Sequence, residues 1–322
     1  MLLSITAIIA GFVLLVWGAD RFVEGAAATA RDLGVPPLIV GLTIVGFGTS
    51  APEILVSMMA AIGGNPALGM GNAIGSNITN IALILGLTAV FTPLYVRSAT
   101  LKRELPLLLT IMIASIALLL DGSMDRIDGV LLLAALAGFL VWLIKLGRDT
   151  KASDPLIAEF TEEIPADMPL PRAITWTVVG LVVLLASSRM LVWGAVNIAE
   201  TFGVSDLIIG LTIVAIGTSL PELAASIVAA KKNEHDIAIG NVLGSNVFNL
   251  LAVMGLPGAI APGPIPPEML TRDFPIMMGL TLLFFGLAYG IGGPGKISRP
   301  MGGVLLALFG AYQLILYFGI LT

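Results

Sequence analysis

The chain has 322 residues, of which 57% are hydrophobic and 11% charged, with a formal net charge of -5 and a mean hydropathy of +1.02. Soluble domains carry about a quarter of their residues as charged side chains, so this composition excludes a water-soluble enzyme or a nucleic-acid-binding domain and describes an integral membrane protein. Cysteine is absent, which excludes thiolate chemistry and leaves the redox compartment open.

Apolar runs of about 17 to 25 residues read as spanning helices, and ten are predicted in chain order. They lie at 2–24, 36–62, 67–91, 104–120, 127–147, 173–199, 205–230, 236–260, 274–291 and 301–320. The first run lacks a basic leader and a small-residue cleavage site, so it reads as a retained helix rather than a signal peptide. Lys and Arg in short loops favour the cytoplasmic side. With both termini outside, thirteen of the sixteen basic residues fall inside, leaving Arg126, Arg189 and Arg272 as exceptions. The expected location is a cell membrane, crossed many times.

An offset of 169 aligns residues 34–87 with 203–256 without a gap, and 25 of the 54 pairs are identical. Five helices per half is an odd number, so the second half must enter the membrane from the opposite face. The expected fold is therefore all-α, with ten transmembrane helices as two inverted five-helix repeats. These occupy 1–147 and 173–322, with a cytoplasmic linker at 148–172. That linker carries Asp149, Asp154, Glu159, Glu162, Glu163 and Asp167 without the ligand spacing of a calcium loop, and reads as solvated. His235, the one histidine, lies in the basic turn from Lys231 to Asp236 and is expected at the surface. Asp20 and Arg189, aligned by the repeat, are expected near helix ends at the membrane interface.

Within the repeat, Gly48-Thr49-Ser50-Ala51-Pro52-Glu53 returns as Gly217-Thr218-Ser219-Leu220-Pro221-Glu222. An acidic side chain at the centre of a spanning helix costs about 2.5 to 3.5 kcal/mol, so it is a site hypothesis by default. No Lys or Arg lies within the second, third or eighth runs, and the seventh has none before Lys231 at its end. Pro52 and Pro221 cannot donate to the carbonyls of Gly48 and Gly217, so both helices should bend there. Thr49, Glu53 and Ser57 share one helix face, as do Thr218, Glu222 and Ser226. The third run carries Asn72, Ser76 and Asn80 on one stripe, and the eighth Asn241, Ser245 and Asn249. Where these stripes meet, carboxylates, hydroxyls and amide oxygens would form a shell for a hard cation such as calcium or sodium. Asn72, Asn77, Asn241, Asn246, Ser57 and Ser226 are expected mainly to hold helices together. Inverted repeats with broken helices in matching positions point to a secondary transporter with a midplane site.

Gly-Thr-Ser-x-Pro-Glu followed by Gly-Asn-x-x-Gly-Ser-Asn, in both halves of a ten-helix chain, resembles the sodium/calcium exchanger family of the calcium:cation antiporter superfamily. The resemblance implies sodium-for-calcium exchange by alternating access, with the first and sixth helices as the moving pair. It implies cation ligands at Thr49, Ser50, Glu53, Ser76 and Asn80, and at Thr218, Ser219, Glu222, Ser245 and Asn249. Backbone carbonyls of Gly46 and Ala215 would join them. Several family branches, potassium-dependent exchangers among them, carry Asp at one of the positions held here by Asn80 and Asn249. Proton/calcium exchangers resemble Gly-Asn-x-x-Glu, where this chain has Gly75 and Gly244. That alternative, a passive cation channel and an intramembrane hydrolase are the competing readings, and the last lacks a nucleophile with a base. The implied partners are calcium, sodium and the lipid bilayer, with no cofactor, no nucleic acid and no protein partner required.

Overall fold

A computed structural model describes residues 1–34, 46–96, 99–149, 168–290 and 295–321. Its helices are α1 (Leu2–Asp32), α2 (Gly46–Thr49), α3 (Ala51–Ile62), α4 (Pro66–Phe91), α5 (Ala99–Leu118) and α6 (Arg126–Asp149). They are followed by α7 (Leu170–Phe202), α8 (Asp206–Thr218), α9 (Leu220–Lys231), α10 (His235–Ile260), α11 (Met269–Tyr289) and α12 (Arg299–Leu321). Among the described residues seven helices are long and apolar enough to cross a bilayer, and α8 with α9 forms one further span bent by 41°. The bend falls at Ser219, two residues before Pro221, and the matching break between α2 and α3 falls at Ser50, two residues before Pro52. Both breaks stand where the missing proline N–H predicts them.

Two packing units follow from the apolar faces. The larger core joins α4, α5, α6, α10, α11 and α12 through residues such as Ile74, Leu105, Phe139, Phe248, Phe274 and Tyr312. A second cluster joins α1 and α7 to α3 and α8 through Leu15, Val56, Leu184, Leu191 and Ile209. The long α1 and α7 lie against each other on small residues: a Cβ on Gly11 would meet Leu191 at 3.2 Å, and one on Gly180 would meet the backbone of Phe22. These are the same contact read twice, because 11 and 180, and 22 and 191, differ by the repeat offset.

Short strands repeat the reciprocity. β1 (Leu94–Tyr95) pairs antiparallel with β4 (Lys296–Ile297), and β2 (Ser123–Met124) with β3 (Gly263–Pro264). Helices α4 and α8 also approach closely. A Cβ on Gly71 would fall 2.5 Å from the Leu207 carbonyl, and one on Gly210 would collide with the Leu68 carbonyl and lie 2.9 Å from the Asn72 nitrogen. Glycine is required there because two backbones, not side chains, are in contact.

Two expectations are corrected. Helices α1, α7 and α11 outrun the apolar stretches predicted at 2–24, 173–199 and 274–291, so Asp20 and Arg189 sit well inside helices, both exposed. The charges that ended the first apolar run do not end the helix: Arg21 pairs with Glu24 one turn on, at 2.5 Å, and lies over the Trp176 ring of α7. His235 is not a surface residue. It is 4% exposed, because it opens α10 beneath β1, its ring packed on Tyr95 at 5.5 Å between centroids. Of the expected linker, α6 runs to Asp149 and α7 starts at Leu170, while 150–167 lie outside the described residues.

Gly210→Val should lose about 1 to 3 kcal/mol through overpacking, read as a lower thermal midpoint in detergent. Gly310→Val, where a Cβ meets nothing within 4 Å, should leave the midpoint unchanged. Equal midpoints for the two variants would contradict the backbone contact between α4 and α8.

Candidate cation site

The breaks at Ser50 and Ser219 bring the N-terminal turns of α3 and α9 to the middle of the bundle, each with its Glu in the first turn. Glu53 is 1% exposed and Glu222 fully buried. The helix starts favour negative charge there through their unpaired N–H groups. Among the described residues no Lys, Arg or His pairs with either, and the two carboxylates lie near enough to repel each other.

The asparagines of α4 and α10 knit the broken helices together. Asn72 donates from Nδ2 to the Glu53 carbonyl (3.2 Å), and its mate Asn241 donates to the Glu222 carbonyl (3.5 Å). Across the halves, the Thr49 hydroxyl donates to Asn241 Oδ1 (3.0 Å) and the Thr218 hydroxyl to Asn72 Oδ1 (3.1 Å). One turn deeper, Asn80 donates to Asn246 Oδ1 (3.0 Å) and Asn249 to Asn77 Oδ1 (3.1 Å). Each pair of bonds maps onto its partner by the 169 offset, so the hydrogen-bond network carries the repeat seen in the sequence.

Hydroxyls break the symmetry. Ser219 Oγ donates to Glu53 Oε1 from the opposite half (3.2 Å), whereas Glu222 Oε1 receives Ser245 Oγ from its own half (3.2 Å). Ser76 Oγ turns to Asn72 Oδ1 instead (3.3 Å), and Ser50 Oγ is buried without a partner. Four acceptor oxygens are then left without donors, all buried: Glu53 Oε2, Glu222 Oε2, Asn80 Oδ1 and Asn249 Oδ1. Acceptors in such number, with no cationic side chain, are what a hard cation satisfies.

The fold therefore gathers ten of the predicted ligand side chains, all buried: Thr49, Ser50, Glu53, Ser76, Asn80, Thr218, Ser219, Glu222, Ser245 and Asn249. Of the two backbone positions, Gly46 begins α2, and the Ala215 carbonyl accepts the Ser219 N–H at 3.2 Å, so it is a shared rather than a freed oxygen. Asn77 and Asn246, expected as packing residues, bond directly to Asn249 and Asn80. Their signal in the sequence is the Asn-x-x-Asn spacing, which returns in both halves. The π-helical turns Thr79–Leu85 and Asn249–Val253, which shift the ladder beside these asparagines, were not legible.

The family described as sodium/calcium exchanger protein matches residues 3–145 and 172–318. The chain belongs to the sodium/calcium exchanger family. Its relatives include the putative antiporter CaxA of Alkalimonas amylolytica, 48% identical over 98% of this chain and 99% of that protein. The inner membrane protein YrbG of Escherichia coli K12 is 41% identical over 97% of this chain and 95% of that protein. A solved structure of the sodium-calcium exchanger NCX_Mj, soaked with sodium and strontium, is 32% identical over 97% of each chain, with a TM-score of 0.68. The chain is thus an integral membrane antiporter of this superfamily, a transporter rather than a catalyst.

Because neither buried carboxylate has a basic partner among the described residues, Glu53→Gln and Glu222→Gln should each melt no lower than the unaltered protein in cation-free buffer. Removing an uncompensated buried charge relieves a penalty of several kcal/mol. Thermal unfolding in detergent with a chelator present checks this, and a clear fall in midpoint for either variant would show that a cationic group pairs with it.

Proposed function

We propose that this chain exchanges sodium for calcium across a cell membrane, both ions binding in turn at one centre reached alternately from the two sides. The ligands are the side chains of Thr49, Ser50, Glu53, Ser76 and Asn80 with Thr218, Ser219, Glu222, Ser245 and Asn249, joined by the carbonyls of Gly46 and Ala215. The observation that carries this reading is the set of four buried, donorless oxygens supplied in equal parts by the two halves. Two carboxylates fix a charge of about minus two, which one calcium ion cancels. Several sodium ions do the same with less charge each, so the two cargoes compete. A centre left unneutralised is costly to move, and exchange is therefore obligatory.

The proposed frame is ten spans in two inverted repeats, 1–147 and 173–322, with both termini outside. The reciprocal contacts of α1 with α7, of β1 with β4 and β2 with β3, and of the asparagines support the repeat. The name of NCX_Mj and its similarity over nearly the whole chain support sodium as the counter-ion. A proton-coupled relative would resemble Gly-Asn-x-x-Glu, but at Gly75 even a Cβ would lie 2.7 Å from that of Ala215 and from the Leu211 backbone, so that position has no room for a longer side chain, whereas its mate Gly244 is open.

Proteoliposomes carrying an outward sodium gradient should take up calcium with choline in place of potassium, and Glu222→Gln should abolish that uptake. With Asn80 and Asn249 neutral, no third carboxylate calls for an additional cation. Uptake driven by a pH gradient but not by sodium would replace the counter-ion, and uptake that collapses without potassium would refute the charge count.

Orientation is tested separately. The turns after α3 and α9 are repeat mates, each ending on a left-handed residue, Gly64 (φ 85°) and Asn233 (φ 65°). A single cysteine at the exposed position 63 should be labelled by an impermeant thiol reagent from outside, and one at exposed 232 from inside. Labelling of both from one side would contradict the inverted arrangement.

A further inference from the structure

The cation reading leaves Asn77 and Asn246 without a task, yet their contacts are specific. Each is fully buried, and each spends its amide oxygen on the Nδ2 of a ligand asparagine from the other half: Asn249 Nδ2 to Asn77 Oδ1 at 3.1 Å, and Asn80 Nδ2 to Asn246 Oδ1 at 3.0 Å. An asparagine amide has two ends of nearly equal size and opposite sense, one an acceptor and one a pair of donors. Packing alone does not choose between them. A hydrogen bond that takes the NH2 end does choose, because the oxygen must then point the other way.

Resting on the ligand assignment above, we propose that Asn77 and Asn246 are positioning residues that fix the amides of Asn249 and Asn80 with their oxygens toward the cation. The geometry agrees on both sides of the repeat. Asn80 Oδ1 and Asn249 Oδ1 are the buried amide oxygens that receive no donor, while their nitrogens are held. A rotated amide would aim N–H groups at the cation, so the clamp converts an ambivalent side chain into a ligand. Because each clamp crosses between α4 and α10, it also ties the ligand of one half to the frame of the other. The two clamps differ behind the contact. Asn77 Nδ2 reaches the Met277 sulfur at 3.4 Å on α11, whereas Asn246 Nδ2 is buried with no partner.

The test is a double-mutant cycle on the full chain in proteoliposomes, reading the half-saturating calcium concentration and the maximal rate separately. Asn77→Ala should raise the half-saturating calcium about tenfold, the scale of one lost hydrogen bond. It should add nothing further in an Asn249→Ala background, since it acts only through that residue. Asn77→Ser, which keeps a neutral acceptor near Asn249 Nδ2 without adding a third carboxylate, should recover part of the calcium affinity. An unchanged half-saturation in Asn77→Ala, or a full further loss on top of Asn249→Ala, would overturn the positioning role alone. An unchanged half-saturation in Asn249→Ala itself would instead sink the ligand assignment, and this inference with it. Should Asn77→Ala fail to yield folded protein, Asn246→Ala is read the same way through Asn80. Failure of both to fold would show a structural role and overturn the proposal.

Discussion

Two carboxylates buried together without a positive side chain set the terms for everything around them. Each costs several kcal/mol to hold in a medium of low dielectric, and their mutual repulsion adds to that cost. The protein offsets part of it with helix starts aimed at both groups and with hydroxyl donors, Ser219 to Glu53 and Ser245 to Glu222 among them. It stops short of full compensation: one oxygen of each carboxylate keeps no donor. An enzyme acid would be tuned by a base and a structural carboxylate by an arginine, as Asp273 of α11 is by Arg272 and by the Tyr312 hydroxyl of α12. The same chain that satisfies Asp273 leaves one oxygen of Glu53 and one of Glu222 without a donor.

The repeat makes this arrangement possible at low cost in sequence. One motif of Gly-Thr-Ser-x-Pro-Glu, used twice, supplies both carboxylates and both helix breaks. The glycines at 71 and 210 let α4 and α8 touch backbone to backbone, which brings the asparagines of one half within reach of the other. Thr49 with Asn241 and Thr218 with Asn72 then close the ring across the seam. Neither half alone makes these bonds, so the network exists only where the halves meet.

Much of the centre was legible in the sequence because its chemistry conflicts with its surroundings. A glutamate, a proline and a run of hydroxyls within apolar stretches announce themselves by cost, and the constant offset announces the pairing. Features decided by partners were not legible. The first apolar run reads as stopping at 24, but the Arg21–Glu24 ion pair and the Trp176 ring accompany α1 on to Asp32. His235 reads as a loop residue until β1 is folded over it. The orienting role of Asn77 and Asn246 depends on which end of an amide meets which, and spacing along a helix says nothing about that. The π-helical turns beside them follow from tertiary packing rather than from local preference.

Departures from the repeat carry as much meaning as the repeat itself. Beyond the first break, Ala51 and Val56 of α3 lie buried under Leu184, Leu191 and Ala195 of α7, while Leu220, the mate of Ala51, is 38% exposed. Helix α1 lies across both breaks, with Val23 against Gly48 and Phe12 against Gly217, so one long helix touches the hinge glycine of each half. Near-identical sequence patterns therefore occupy unlike environments on the two sides of the carboxylates. A site reached alternately from two faces requires this kind of inequality, because two equally covered paths would be both open or both shut. Helices α1 and α7 bury their glycines in each other, while the asparagine network runs through α4 and α10. On the proposed reading, the ligand shell can keep its hydrogen bonds while the cover over it shifts.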